Sequence, residues 1–357
     1  MNLSEIAPTT TLAGMWDTPA TIKRNHFIHK SLSSWAFNGS VGCGHGCGFC
    51  SVPDTSTNKL KHLLAAYGVR DPSNEWGSYQ FPRPWDEKAF IASLHRADSI
   101  PSHELNGDGN RCVFFSSTSD PFPTIRIPDR GKRKGLQQHA RFIVRRALEL
   151  IHEHSTLNVR ILTRSPRAML EIDLFRKFGD RLLLGVSLPT LNIRLAKAYE
   201  GHSPAPTHRL KMLHQAKEAG IHRYAAVAPF FPESTRDDLR KTFEALAAVD
   251  PVTVFFEPIN IRLGNVVRMK DAAERAGVSL RLDVFRSPSA WREYALESLH
   301  MAEEVAKETG LAGRLHLWPD PVLGSVSAVL AQPDPGAYTD WLQSWWSRIS
   351  EWPGNGR

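Results

Sequence analysis

The nine residues "GCGHGCGFC", Gly42 to Cys50, hold three of the four cysteines of the chain, at Cys43, Cys47 and Cys50. Structural zinc commonly takes four ligands as two separated Cys/His pairs, so this loop falls one ligand short. His45 is a fourth donor on paper, but it lies between Cys43 and Cys47, where closing a tetrahedron would strain so short a loop. A redox pair of Cys47 and Cys50 leaves Cys43 without a role. A cubane iron–sulfur cluster has four iron corners, and three thiolates leave one of them open. The remaining reading is a glycine loop with incidental thiols. Glycines at 42, 44, 46 and 48 let the backbone take positive φ and bring its N–H groups close to cluster sulfurs.

The rest of the composition narrows the setting. The chain has 357 residues, enough for one large α/β domain or two smaller ones. It contains no apolar run of the length a membrane span needs, and its first twenty residues lack the basic patch and apolar stretch of a secretory signal, which leads us to expect a cytoplasmic protein with no membrane partner. Four cysteines are too few for a disulfide framework. The net charge of +7 is compatible with an anionic partner or with plain solubility.

Working outward from the loop, "SSWAFNGS" (33–40) reads as a strand running into it, and 51–85 as an irregular excursion with one short helix at "KLKHLLAAYG". Strands are then expected at "RCVFF", "NVRILT", "RLLLGVSL", "RYAAVAPF" and "VTVFFEPI". Helices separate them, among them "KGLQQHARFIVRRALELIHEH" and "STRDDLRKTFEALAAV", the latter with Ser234 as expected N-cap. Six strands alternating with helices argue for parallel βαβ units in a sheet or barrel. We therefore expect an N-terminal extension (1–32), a β/α core (33–265) and a C-terminal helical cap (266–357), with Trp341, Trp345, Trp346 and Trp352 packing the cap onto the core.

The Cys-x3-Cys-x2-Cys spacing with Phe49 before the last cysteine, placed after the first strand of such an alternation, resembles the radical S-adenosylmethionine superfamily. The segments "FFSSTSDPF", "ILTRSP", "LLGVSLPT", "YEGHSPAPTHRL" and "AAVAPFFP" further resemble its spore photoproduct lyase-like branch over residues ~33 to ~235. The resemblance implies a partial (β/α)6 TIM-like barrel, a [4Fe-4S] cluster on Cys43, Cys47 and Cys50, and S-adenosylmethionine chelating the open iron. Reductive cleavage of that cofactor would give a 5′-deoxyadenosyl radical that abstracts hydrogen from substrate. An external one-electron donor of flavodoxin or ferredoxin type is implied as a partner. The matched positions imply cofactor contacts from Phe49, Ser116, Ser117, Thr118, Asp120, Arg164 and Ser187. Asp120 suits the methionyl ammonium and Arg164 the cofactor carboxylate. Glu200 and Arg209 match family positions, and Glu257, Asn260 and Arg262 end the sixth strand, so these five are candidate substrate contacts.

The lyase family has a cysteine where this chain has Ser117, and a hydroxyl O–H is too strong to return a hydrogen atom as a thiol does. Cys112, five residues upstream, is expected on the opposite face from Ser117 and buried in the core. No second cysteine cluster exists for auxiliary iron–sulfur centres. The expected substrate is a nucleic acid base, nucleotide or related molecule, with the basic stretches "TIRIPDRGKRK" and "KRKGLQQHARFIVRR" pointing to an anion. A biosynthetic enzyme acting on a small metabolite, and a non-catalytic iron–sulfur protein that binds nucleic acid, are the alternatives.

Overall fold

The structure is a computed structural model, and it describes residues 12–25, 32–105, 110–115, 117–261 and 264–354. Its strands are β1 (Ile22–Arg24), β2 (Trp35–Phe37), β3 (Ser40–Gly42), β4 (Gln80–Pro82), β5 (Cys112–Phe115), β6 (Asn158–Thr163), β7 (Leu182–Ser187), β8 (Arg223–Phe230), β9 (Val254–Pro258) and β10 (Leu315–Leu317). Eight of them form one sheet in the order β1-β2-β5-β6-β7-β8-β9-β10, while β3 and β4 make a separate antiparallel ribbon. From β2 to β10 every neighbouring pair is parallel, and β1 runs antiparallel along the β2 edge.

All six expected strands are present, and the apolar runs that identify them follow from burial on both faces. On β5, Val113 and Phe115 pack outward with Ile143, Val144 and Leu148 of the helix Arg130–His154. Cys112 and Phe114 turn inward with Leu183, Tyr224, Phe255 and Trp318. The result is a partial β/α barrel with helices outside and a packed interior.

Arg160 of β6 closes the floor of that interior. It is 1% exposed, its guanidinium lies 5.3–5.5 Å from the ring centres of Tyr224, Phe255 and Trp352, and it donates to Ser350 Oγ at 2.9 Å. Three ring faces replace part of the hydration a buried cation loses. Trp352 in turn donates to the Asp180 carbonyl at 2.8 Å, and Trp341, Trp345 and Trp346 pack against the outer core, so the C-terminal tryptophans act as packing.

Two expectations are corrected. A seventh parallel strand, β10, lies within the segment expected to be a helical cap; "LHL" is too short, and too polar at its centre, to register as a strand. The helix Arg236–Ala248 is capped by Thr235, not Ser234, because Asp238 stands three residues after Thr235 and closes a reciprocal capping box. In its described part the N-terminal segment packs on the core, since Trp16 stacks on Tyr67 at 4.7 Å and β1 extends the sheet.

Part of the basic face of the helix Arg130–His154 is taken up by structural ion pairs. Arg141 and Arg145 are both paired with the buried Glu171, Arg145 also with Asp173 at 3.0 Å, and Arg146 with Glu87 at 2.7 Å. These three arginines are committed to fastening the helix to its neighbours.

Candidate active site

The cysteine loop begins where the ribbon ends. Gly42 leaves β3 at φ +80° and Gly46 turns the loop at φ +63°. A Cβ on Gly46 would lie 2.8 Å from Gly77 Cα, so only glycine fits there. Distant parts of the chain then hold the loop backbone. Gly44 N donates to Gln80 Oε1 at 2.9 Å, Gly48 N to the Tyr199 carbonyl at 2.9 Å, and His202 N to the His45 carbonyl at 2.7 Å. The Gly44 carbonyl accepts from Arg126, the Phe49 carbonyl from Asn265 at 3.3 Å, and the Cys50 carbonyl from Arg268, which is itself paired with Asp54 at 2.7 Å. The loop is thereby fixed before any ligand binds.

All three thiols line one cleft at the carboxyl ends of the strands, together with His45, Phe49, Ser117, Thr118, Asp120, Arg164 and Ser187. This is where ligands sit in β/α barrels. Burial, reinforced by neighbouring negative charge, pushes Cys43 up to about 11; burial and the other two sulfurs push Cys50 up to about 12. Cys47 is raised too, chiefly by burial, and its Sγ lies 3.5 Å from Ser203 Oγ. Without metal these are thiols; iron would have to displace their protons.

The donor set fits a cluster better than a single ion. Among the described residues no three His, Cys, Asp or Glu side chains converge closely enough to hold one metal ion, although three cysteines face one cleft. His45, the fourth zinc ligand on paper, is turned to Asp120, with Nε2 3.1 Å from Oδ2, close enough for a charge contact but not aligned as a hydrogen bond. Three thiols facing one cleft suit three corners of a cluster.

Asp120 is the hub of the second wall. Its carboxylate accepts from Thr163 Oγ1 at 2.8 and 2.9 Å, Phe122 N at 2.9 Å and Arg164 N at 2.8 Å. Burial opposes its charge, but the His45 contact and the amide donors outweigh that and hold its carboxyl below the usual range. Asn38, just past β2, donates to Ser117 Oγ at 2.7 Å and accepts from Thr118 N at 2.9 Å, fixing both residues at the cleft wall.

Arg164 stands over the Phe49 ring at 5.4 Å and donates Nε–H to Glu200 Oε1 at 3.2 Å. Burial works against its charge, but Cys47 and Glu200 raise its pKa overall. Its terminal amino groups have no hydrogen-bond partner among the described residues. Glu200 also pairs with Arg209, whose Nη1 donates at 2.8 Å to Glu200 and at 2.6 Å to the Ser187 carbonyl.

No family model matches the chain. An uncharacterised protein of Acidianus two-tailed virus is 30% identical over 248 residues, spanning 68% of this chain and 73% of the viral one. The chain belongs to the family of that viral protein. An uncharacterised protein of Methanocaldococcus jannaschii is 23% identical over 232 residues, 64% of this chain and 72% of its own. Among solved structures, spore photoproduct lyase complexed with dinucleoside spore photoproduct matches with a TM-score of 0.57 at 13% identity, over 88% of this chain and 86% of that one. A lyase variant with bound AdoMet and dinucleoside spore photoproduct matches with a TM-score of 0.53 at 13% identity, over 80% and 76% of the two chains. The chain thus has the fold of spore photoproduct lyase.

The sequence-derived residues divide by position. Cys43, Cys47, Cys50, Phe49, Ser117, Thr118, Asp120, Arg164 and Ser187 meet in the cleft. Glu200 and Arg209 do not reach it as substrate contacts: they are 2% and 0% exposed and form a sealed ion pair behind the cysteine loop. Asn260 donates to Glu257 Oε1 at 3.1 Å at the end of β9, and neither lines the cleft. Ser116 and Arg262 lie outside the described residues. Cys112 is buried in the barrel floor, as expected. The strand alternation used to place Ser117 on the opposite face does not extend to it, because β5 ends at Phe115. Asn38, Gln80 and Arg268 gave no signal in the sequence, since each acts on a partner 36 to 218 positions away, and Arg126, visible only as part of a basic stretch, instead donates to the Gly44 carbonyl.

Proposed function

We propose that the protein is a radical S-adenosylmethionine enzyme acting on a nucleic acid base, nucleotide or related substrate. The observation that carries this reading is the single cleft shared by three thiols and the polar ends of the strands that follow. Cys43, Cys47 and Cys50 would hold a [4Fe-4S] cluster, with S-adenosylmethionine on its open iron. When bound, this pair supplies one-electron cleavage of the sulfonium to a 5′-deoxyadenosyl radical that takes hydrogen from substrate.

The chain's own residues serve that chemistry by placement. Arg164 offers its unpartnered amino groups to a carboxylate, in the bidentate manner open to a guanidinium. Asp120 is more a brace than a free acceptor, since both its oxygens are engaged; its negative charge beside His45 still favours a cationic ligand group. Phe49 lines the cleft with the thiols and lies under the Arg164 guanidinium. Thr118 and Ser187 line the cleft, the Ser187 hydroxyl donating to the Ala228 carbonyl at 3.4 Å.

The departure at Ser117 shapes the outcome of the reaction. Its hydroxyl is held by Asn38, and the only thiols among the cleft-lining residues are the three proposed cluster ligands. A substrate radical would therefore take its final hydrogen from 5′-deoxyadenosine or from outside the chain, not from a cysteine donor in the lyase manner.

Anaerobic reconstitution tests the reading. We expect about four irons per chain, reductive formation of 5′-deoxyadenosine, and loss of both in Cys43→Ala, Cys47→Ala and Cys50→Ala. Iron bound without any cleavage of S-adenosylmethionine would favour the non-catalytic alternative.

A further inference from the structure

A second cavity, of about 270 Å³, adjoins the cleft and shares Thr118 with it. It opens between the β1–β2 edge and the base of the cysteine loop, and three cations line it: Lys23 on β1, Lys59 in the excursion after the loop, and Arg83 just after β4. Lys23 lies opposite Ala36 in the antiparallel β1–β2 pair, so both face the cavity. No aspartate or glutamate is among the lining residues. None of the three cations is in an ion pair among the described residues, in contrast to Arg141, Arg145 and Arg146 of the outer helix. Hydroxyl donors from Thr21, Ser56 and Thr57 line the same wall.

Three unpaired positive charges in a concave, acid-free space attract a compact multivalent anion, and ammonium and guanidinium groups beside hydroxyls match phosphate oxygens. Thr118 lines both spaces, and its anchor Asn38 lines this cavity beside it. We infer that this cavity binds a phosphate group of the substrate, so that the attached base or sugar is presented across Thr118 to the thiol-lined cleft. The inference rests on the proposed enzyme reading for its purpose, but not for its test.

The test is calorimetric titration of the full chain, with and without reconstituted cluster, using thymidine, thymidine 5′-monophosphate and a thymidylate hexamer as probes. We expect the monophosphate to bind at least about 10-fold tighter than the nucleoside. In the double variant Lys23→Gln/Lys59→Gln that advantage should fall by about 10-fold, while thymidine binding stays unchanged. For the hexamer, the slope of log affinity against log salt should become shallower by roughly 0.7 for each phosphate that the variant no longer neutralises. Both lysines are exposed, so the variant should unfold at the parent's temperature; Arg83 is left intact because it also holds Thr18 at 3.2 Å. A hexamer that binds far tighter than the monophosphate identifies a nucleic acid strand as the source of the phosphate, and equal binding a small phosphate ester. Equal affinity for thymidine and its monophosphate, or a double variant that binds all three probes as the parent does, overturns the proposal. A chain that binds phosphate in this way but never cleaves S-adenosylmethionine would sink the enzyme reading and leave this site standing.

Discussion

His316, at the centre of β10, should make the fold acid-sensitive well above the carboxylate range. The imidazole is 2% exposed, lies 5.2 Å from the Phe255 ring and 6.3 Å from Trp345, and has the guanidinium groups of Arg348 and Arg160 nearby. Burial first, and then those two cations, push its pKa down to about 3. A folded pKa below the unfolded 6.5 means that the unfolded chain takes up the proton first. Stability is therefore intact above about pH 6.5 and falls as the pH drops from there towards 3. At pH 5 the unfolded state has gained about 1.4 pH units' worth of protonation relative to pH 7, and the folded state almost none. At about 1.4 kcal/mol per unit this is a loss of roughly 2 kcal/mol. The assay is urea unfolding of the parent and His316→Phe at pH 7 and pH 5. His202, held down to about 4 mainly by burial, titrates in the same sense in both proteins and cancels in the comparison. The parent should lose about 2 kcal/mol more than the variant over this interval. An equal loss in both proteins would refute the argument and show that His316 reaches solvent or a proton acceptor.

Removing the charge of Glu200 with Glu200→Gln should cost on the order of 3–5 kcal/mol at neutral pH, because Arg209 is left buried and unpaired beside Arg164; chemical denaturation of the apoprotein reads this directly, and a change below about 1 kcal/mol would mean the pair is hydrated. Gly201→Ala places a Cβ 2.5 Å from the His45 carbonyl oxygen at a residue with φ +56°, so it should displace the cysteine loop and lower iron content after reconstitution, with the remaining fold intact by circular dichroism. Asn38→Leu removes the hydrogen bonds to Ser117 Oγ and Thr118 N; we expect full iron content, a global stability loss of about 1–2 kcal/mol, and weakened S-adenosylmethionine binding by calorimetry. Unchanged cofactor affinity in that variant would remove Asn38 from the positioning machinery.

The fold was legible where apolar runs met helical periodicity. β6 to β9 are each buried almost throughout, and burial on both faces writes a continuous run such as "RLLLGVSL" that no surface segment imitates. β10 carried no such run: it has three residues, and the central one is a histidine whose partners, Phe255 and Trp345, come from elsewhere in the chain. Its strand character is conferred by pairing with β9, which local sequence does not encode. The helix Arg130–His154 shows the opposite failure. Its basic face was plain, but three of its arginines, Arg141, Arg145 and Arg146, are taken up by Glu171, Asp173 and Glu87, acids from two other stretches that the local sequence does not reveal.

The cleft repeats this division at finer scale. The thiol spacing lies within eight consecutive residues, Cys43 to Cys50, so a linear motif suffices to read it. Glu200 and Arg209 were visible as matches to family positions, but such a match does not decide whether a side chain faces the ligand or the scaffold. Burial decides it here. With Arg209 fully enclosed and donating to both Glu200 and the Ser187 carbonyl, the pair ties β7 to the segment that carries Gly201 and His202. That segment is the one whose backbone holds His45 in the cysteine loop. The charge that sequence reasoning assigned to substrate therefore acts one step back. It keeps in place the residues that keep the thiols in place, and a loss of its effect should appear in iron retention before it appears in any preference among substrates.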